Sequence, residues 1–352
     1  MSPELALVDA DDPVVGDLLE AMLEVLAEAG GWLHPAARLV CRAGNLSLHC
    51  SGPIGEPLVR IPHEVMVPVG RIRWSTEGSQ LAFEELPESL DDTASEMAYL
   101  QVALLNQCRK LPDLQHTHPL LAPLAPGVIE AVRAFRPSFR ARPIDPVSLL
   151  WSTRCFRLRT ADRPAEPVSI PVVDLLDHHR QGASGTGNLN AFDVPISRPL
   201  DSDACFLDYG WQRDPIGMAI VYGFADESAE VAYSAPLRIR SGTQTIEVEG
   251  TGRDADGHLV AMRAQASASL VRISHVSLGP TQNPVAELIA AAGLDATRAR
   301  QVIEDVAAAN LELLERLASL AVVEPGQAAS TLAAAARKQQ TLIRSGPLTL
   351  PQ

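Results

Sequence analysis

The stretch PVVDLLDHH (Pro171–His179), followed about thirty residues later by DYG (Asp208–Gly210) and then by DPIGMAIVYGF (Asp214–Phe224), decides how this chain is read. Residues 171–176 form a short apolar run, and the β-leaning, proline-punctuated stretch 169–173 predicts a short strand or extended arm. That arm delivers two carboxylates, Asp174 and Asp177, and two imidazoles, His178 and His179, to one place. The polar stretch 181–190 predicts a loop. Residues 204–207 predict a strand ending at Tyr209, and residues 216–221 form a second apolar run ending at Tyr222. The two tyrosines stand 13 residues apart and each precedes a glycine. Glycine there permits a tight turn or a close backbone approach. On spacing alone, two core tyrosines with turn glycines fit equally well.

Working outward, 352 residues are enough for one large or two ordinary domains, and a hydrophobic content of 46% supports a proper core. The net charge is −14 and there is no basic run, which excludes nucleic acid as the main partner, since phosphate neutralisation needs clustered Lys and Arg. The same charge suits a basic substrate. Lysine occurs only at Lys110 and Lys338. Cysteines stand at 41, 50, 108, 155 and 205, odd in number and without a CxxC pair, so neither a disulfide framework nor a zinc site is expected. The sequence has no signal-peptide pattern and no apolar run near the ~20 residues of a membrane span. A cytoplasmic protein with no membrane partner is the expectation.

Toward the N-terminus, Asp12-Pro13 predicts a capped helix start. Residues 38–41, 46–49 and 57–61 predict short strands separated by turns at Gly44-Asn45 and 52–55. Thr93 and Glu96 form a capping-box pattern ahead of a helix over 97–109. Further helices are expected over 127–135 and, after Asp145-Pro146, over 147–159. His116 and His118 with His178 and His179 would be the residues for a metal site, but the spacing does not unite them, and no metal is expected. Beyond Phe224, residues 236–240 and 243–249 alternate apolar and polar as strands do, and 254–257 reads as a turn. Residues 284–292, 297–323 and 330–343 carry helical periodicity.

These motifs together resemble a SET-domain methyltransferase of the Rubisco large-subunit and actin-histidine methyltransferase branch. Residues 173–178 resemble that branch's "PLADMxNH", and Tyr209-Gly210 and Tyr222-Gly-Phe224 its two later tyrosine motifs at the family spacing. The resemblance implies an α+β fold: a SET domain over residues 1–226, built of small sheets and a pseudoknot with a helical insert at about 93–145, then a mostly helical substrate-binding-like domain over 227–352. It implies an S-adenosylmethionine-dependent N-methyltransferase acting on a lysine or histidine of a protein or peptide. Tyr209 would be the catalytic tyrosine and Tyr222 a wall of the substrate channel. Gly44, Arg159, Asp177 and His178 would bind the cofactor, with Arg159 gripping its carboxylate. Two departures stand out. Asp177 replaces the family's asparagine, so a group that donates and accepts becomes one that only accepts when ionised. Leu46 replaces the second glycine of the family's "GxGL" turn. A small-molecule or biosynthetic-peptide substrate, or a SET-like binding module without catalysis, are the competing readings.

Overall fold

Most helices start where a side-chain oxygen takes up a backbone N–H that the helix cannot satisfy itself. Asp12 accepts from the Val14 amide, Asp145 from Ser148, Asp214 from Gly217 and Asp295 from Arg298, and proline follows the first three caps. In the computed structural model the described residues are 7–160, 163–188, 190–209, 213–250 and 260–346, less the side chains at 159, 160, 163 and 164. The fold is mixed α+β, with small sheets and a helical C-terminal region.

The chain divides into two compact units, Met1–Gln115 with Asp145–Tyr209, and His116–Ile144 with Gly210–Gln352. This division falls after Tyr209 rather than after residue 226, and it cuts the expected insert in two. The helix Asp92–Gln107 belongs to the first unit and the helix Pro126–Phe135 to the second, where it packs on the long helix Ala296–Val322.

In the first unit, the helix Pro13–Glu28 buries Val15, Leu19, Met22, Leu23 and Leu26 against small sheets. Each such side chain contributes about 1.5–3 kcal/mol when fully buried. Strands Ala37–Arg42 and Asn45–Cys50 form a hairpin, with Leu7–Ala10 added in parallel. The hairpin turn is Ala43-Gly44, both at positive φ (48° and 76°), so Asn45 opens the second strand instead of sitting in the turn. Two-residue turns with two left-handed residues match the twist of paired strands. Leu46 is buried in the core of this unit. A four-stranded sheet runs in the order Thr186–Gly187, Ala191–Pro195, Pro57–Pro62, Trp32–Leu33.

Several expected elements differ, among them the helix expected over 97–109, which begins at Asp92 with Asp91 rather than Thr93 as its cap. The predicted helix over 147–159 stops at Ser152, and Cys155–Thr160 is a strand paired with Arg163–Ser169. The β-leaning Cys-Phe-Arg-Leu segment finds a strand partner, and that pairing outweighs helical spacing. Residues 169–173 are not one extended arm either. The backbone turns at Val172, forms a single 3-10 turn at Val173–Leu175 and enters the strand Asp177–Ala183. That strand occupies the start of the expected loop over 181–190.

In the second unit, a four-stranded sheet in the order Leu237–Ser241, Gln244–Val248, Leu270–Ile273, Ala264–Ala266 accompanies the helices Pro284–Ala292, Ala296–Val322 and Gln327–Arg344. The expected turn over 254–257 lies outside the described residues. Buried amides tie this unit together. Asn310 donates to Ser234 Oγ (2.9 Å) and accepts from the Ala235 amide (2.7 Å). Gln339 donates to Asp214 Oδ2 (3.3 Å) and the Tyr233 carbonyl (3.1 Å) and accepts from the Ile216 amide (3.2 Å). A buried polar group is tolerated only when paired in this way.

Candidate active site

The decisive stretch folds around its own later partner. The strand Asp177–Ala183 pairs in parallel with Phe206–Leu207, so that Asp177 opposes Phe206 and His178 opposes Leu207. Leu207 also opposes Ala183, and the Asp208 amide donates to the Ala183 carbonyl at 2.9 Å. The pairing therefore bulges between His178 and Ala183, so that both ends of this strand meet Leu207. Gly182 makes this possible, because a Cβ there would lie 2.6 Å from the Leu207 carbonyl carbon and 2.7 Å from the His179 oxygen.

This pairing sets Tyr209. Its amide donates to His178 Nδ1 at 3.0 Å, and its hydroxyl donates to the Leu176 carbonyl at 2.5 Å. The His178 and Tyr209 rings lie 5.1 Å apart. A phenol oxygen and a carbonyl oxygen are thus held side by side, with the imidazole behind them.

Beneath this pair lies a charged cluster. Val172, fully buried, has φ +68°, a left-handed conformation that a β-branched residue rarely adopts and that costs about 1–3 kcal/mol. The turn it makes precedes Asp174, whose side chain is only 5% exposed. Arg154 Nη1 stands 3.8 Å from Asp174 Oδ2 and donates to the Asp174 carbonyl at 3.3 Å. Asp174 Oδ1 has no hydrogen-bond partner among the described residues. Burial pushes the Asp174 carboxyl up to about 6, against the pull of Arg154. Asp177 is solvent-exposed in area, yet enough protein surrounds it for desolvation to raise its carboxyl, opposed by the charges of Lys110 and Arg154. Lys110 is itself lowered, first by burial and then by Arg154. The Gly44 turn leans on the same region, since a Cβ on Gly44 would meet the Cys108 carbonyl at 3.2 Å, two residues before Lys110.

The Asp174 shift has a consequence for stability. Its ordinary value is 3.8 and its folded value about 6, so between these pH values the folded chain holds the proton more tightly than the unfolded one. Stability from this group is therefore lost as pH rises from about 4 to about 6, by an amount on the order of 3 kcal/mol. Asp174→Asn removes that slope. Urea midpoints should show the variant gaining on the parent between pH 4.5 and pH 7, and a gap independent of pH would contradict the buried carboxyl.

His178 and Tyr209 are thus in direct contact, Asp177 precedes His178 on the same strand within the field of Lys110, and Gly44 packs on Cys108, two residues before Lys110. The Arg159 side chain lies outside the described residues, and its backbone is on a strand. Tyr222 belongs to the second unit, at the end of the helix Pro215–Tyr222, with the Arg213 guanidinium 5.4 Å from its ring centre. Gly223 ends that helix at φ +82°, where a Cβ would strike His118. His118 is buried. Its Nδ1 accepts from the Leu120 amide (3.2 Å), its Nε2–H donates to the Val221 carbonyl (3.3 Å), and burial lowers its imidazole to about 4. Both ring nitrogens being engaged, it is a packing histidine. No group of three or more His, Cys, Asp or Glu among the described residues could hold a metal ion.

Sequence reading passed over Arg154 and Lys110. The signal for Arg154 was its place just beyond the helix that carries Trp151. Lys110 gave none beyond its rarity, because its link to Asp177 is made only by folding. All five cysteines are free, and no helix among the described residues is long and apolar enough to cross a membrane.

No family model and no curated protein matches the sequence. Among solved structures, the chain matches the SET domain of LSMT bound to lysine and AdoHcy, with TM-score 0.48 and 10% identity over 93% of this chain and 89% of that one. It also matches Rubisco LSMT bound to AdoMet (TM-score 0.41, 10% identity) and Rubisco LSMT bound to sinefungin and monomethyllysine (TM-score 0.44, 11% identity), each over 93% of this chain and 89% of the other.

Proposed function

We propose that this protein is an S-adenosylmethionine-dependent N-methyltransferase acting on a lysine or histidine side chain of a protein or peptide in a reducing, cytoplasmic setting. The observation that carries this reading is the fixed Tyr209 hydroxyl beside the Leu176 carbonyl, at the strand pairing made by the family-like motifs. The cluster around it fits the methionyl part of the cofactor. That group is a zwitterion with a further positive sulfur, and the site offers two carboxylates, Asp174 and Asp177, with two cations, Lys110 and Arg154. Asp174 Oδ1, buried and without a partner among the described residues, is an acceptor that an ammonium would satisfy. Arg154, together with Arg159 as the resemblance implies, would hold the carboxylate, and Gly44 and His178 would line the rest.

When bound, the cofactor supplies an electrophilic methyl, so that a carbon–nitrogen bond forms as the carbon–sulfur bond breaks and sulfur keeps the electron pair. The protein's task is alignment of a neutral nitrogen with that methyl. Tyr209 orients the nucleophile through its hydroxyl. The Leu176 carbonyl offers an acceptor for weak CH···O contacts. Asp177, with its carboxyl raised by desolvation, takes up the proton that the attacking nitrogen must lose. The resemblance assigns Tyr222 as a wall of the acceptor channel, whose width would limit the number of methyls added.

A SET-like binding module without catalysis is the second reading, favoured by Asp177 and Leu46 in place of the family residues. Isothermal titration with S-adenosylmethionine and S-adenosylhomocysteine separates the two. Binding in the micromolar range, at about −8 kcal/mol, is expected for the enzyme. No heat at millimolar cofactor overturns it in favour of the module.

A further inference from the structure

The second unit holds a cleft of about 650 Å³ that the methyl-transfer reading does not use. Its size falls within the usual range for small-ligand sites. Four arginines line it, Arg136, Arg140, Arg142 and Arg213, in a chain whose net charge is −14. The only carboxylate among the lining residues is Asp214, and it is already engaged. Its Oδ1 accepts from Arg136 (2.9 Å) and the Gly217 amide (2.7 Å), and its Oδ2 accepts from Gln339 (3.3 Å).

The other three guanidinium groups have no carboxylate partner among the described residues. Arg140 spends its donors on the Pro119 carbonyl, at 3.0 Å from Nε, and on the Ala122 carbonyl. It sits at φ +52°, a left-handed conformation unusual for a residue with a side chain. Its guanidinium carbon lies 5.5 Å from the Phe139 ring centre. Arg213 is held over Tyr222, and Arg142 is exposed. Gathering like charges in one concavity is unfavourable unless an anion compensates them. Planar guanidinium forks match the oxygens of a carboxylate or phosphate two at a time. Phe139, Ile144 and Ile220 supply an apolar wall beside them.

We propose that this cleft binds a small amphipathic oxyanion, its carboxylate or phosphate headgroup gripped by Arg142 and Arg213 beside the backbone-held charge of Arg140, and its apolar body laid on Phe139, Ile144 and Ile220. The site stands whether or not the chain transfers methyl groups, because none of these residues belongs to the Tyr209 cluster.

The test is isothermal titration of the full chain, without cofactor, using phenyl phosphate, phenylacetate and uncharged benzyl alcohol. At least one anion should bind at least tenfold more tightly than benzyl alcohol, as expected when one charge-assisted hydrogen bond contributes about 1.5–3 kcal/mol. Which anion binds more tightly tells a phosphate source from a carboxylate source. Raising salt to about 1 M should weaken the anion and leave the alcohol unchanged. The double variant Arg142→Gln, Arg213→Gln should lose at least tenfold for the anion only. Equal binding of charged and neutral ligands by the unaltered protein, or wild-type anion affinity in the double variant, overturns the proposal. The comparison on unaltered protein does not depend on any variant folding.

Discussion

Tyr209→Phe is expected to lower the methyl-transfer rate by about 10²–10³ while leaving cofactor affinity within a few fold. The magnitude is that of removing one preorganised hydroxyl or amide donor from a reacting centre. The hydroxyl is not free to wander, since it donates to the Leu176 carbonyl at 2.5 Å while the residue's amide is tied to His178. Phenylalanine keeps the ring against His178 and loses only the oxygen. The Leu176 carbonyl then lacks its donor, which costs about 1–3 kcal/mol of stability if water does not replace it. A small fall in unfolding midpoint is therefore expected beside a large fall in turnover. Single-turnover rates with saturating cofactor separate the two effects. An unchanged rate would remove Tyr209 from the chemistry.

The second large effect is structural. Gly182→Ala should destabilise the first unit by about 1–3 kcal/mol and carry activity away with it, the usual cost of forcing an extra carbon into packed space. The new Cβ would lie 2.6 Å from the Leu207 carbonyl carbon, 2.7 Å from the His179 oxygen and 2.9 Å from the Asp208 nitrogen. All three are backbone atoms and cannot swing aside as a side-chain tip would. Relief requires opening the pairing, and with it the Asp208–Ala183 hydrogen bond immediately before Tyr209. Gly187→Ala is the control. Its Cβ would find only side-chain atoms of Leu158 and Phe192, at 3.4 and 3.6 Å, on an exposed strand. That change should stay within about 0.5 kcal/mol. Urea midpoints of the two variants should differ clearly, and equal midpoints would mean that the pairing is loose.

Much of the architecture was legible in local chemistry. Aspartate followed by proline marked the helix starts at 13 and 146, because a carboxylate cap and a preset φ act within one turn of chain. The same pair at 214–215 caps a helix where the sequence shows only an apolar run over 216–221. Periodicity placed the helices Pro284–Ala292 and Ala296–Val322 to within a residue. Elements whose state depends on a distant partner were misread. Residues 155–160 carry helical spacing but pair as a strand with 163–169, and the stretch 169–173, expected to be extended, turns at Val172 into a 3-10 turn.

The same division runs through the site. By itself the sequence singled out Asp177, His178 and Tyr209 as candidates and determined the capped helix starts after Asp12 and Asp145, since these follow from motif spacing and from contacts a few residues long. Only the tertiary structure decided that Leu176 faces the Tyr209 hydroxyl and that Arg154 and Lys110 share their surroundings with Asp174 and Asp177. It alone placed four arginines in one cleft. Each of those groupings includes residues about twenty or more positions apart. Their energies arise from burial and from charges meeting at low dielectric, quantities that have no value until the chain has closed around them.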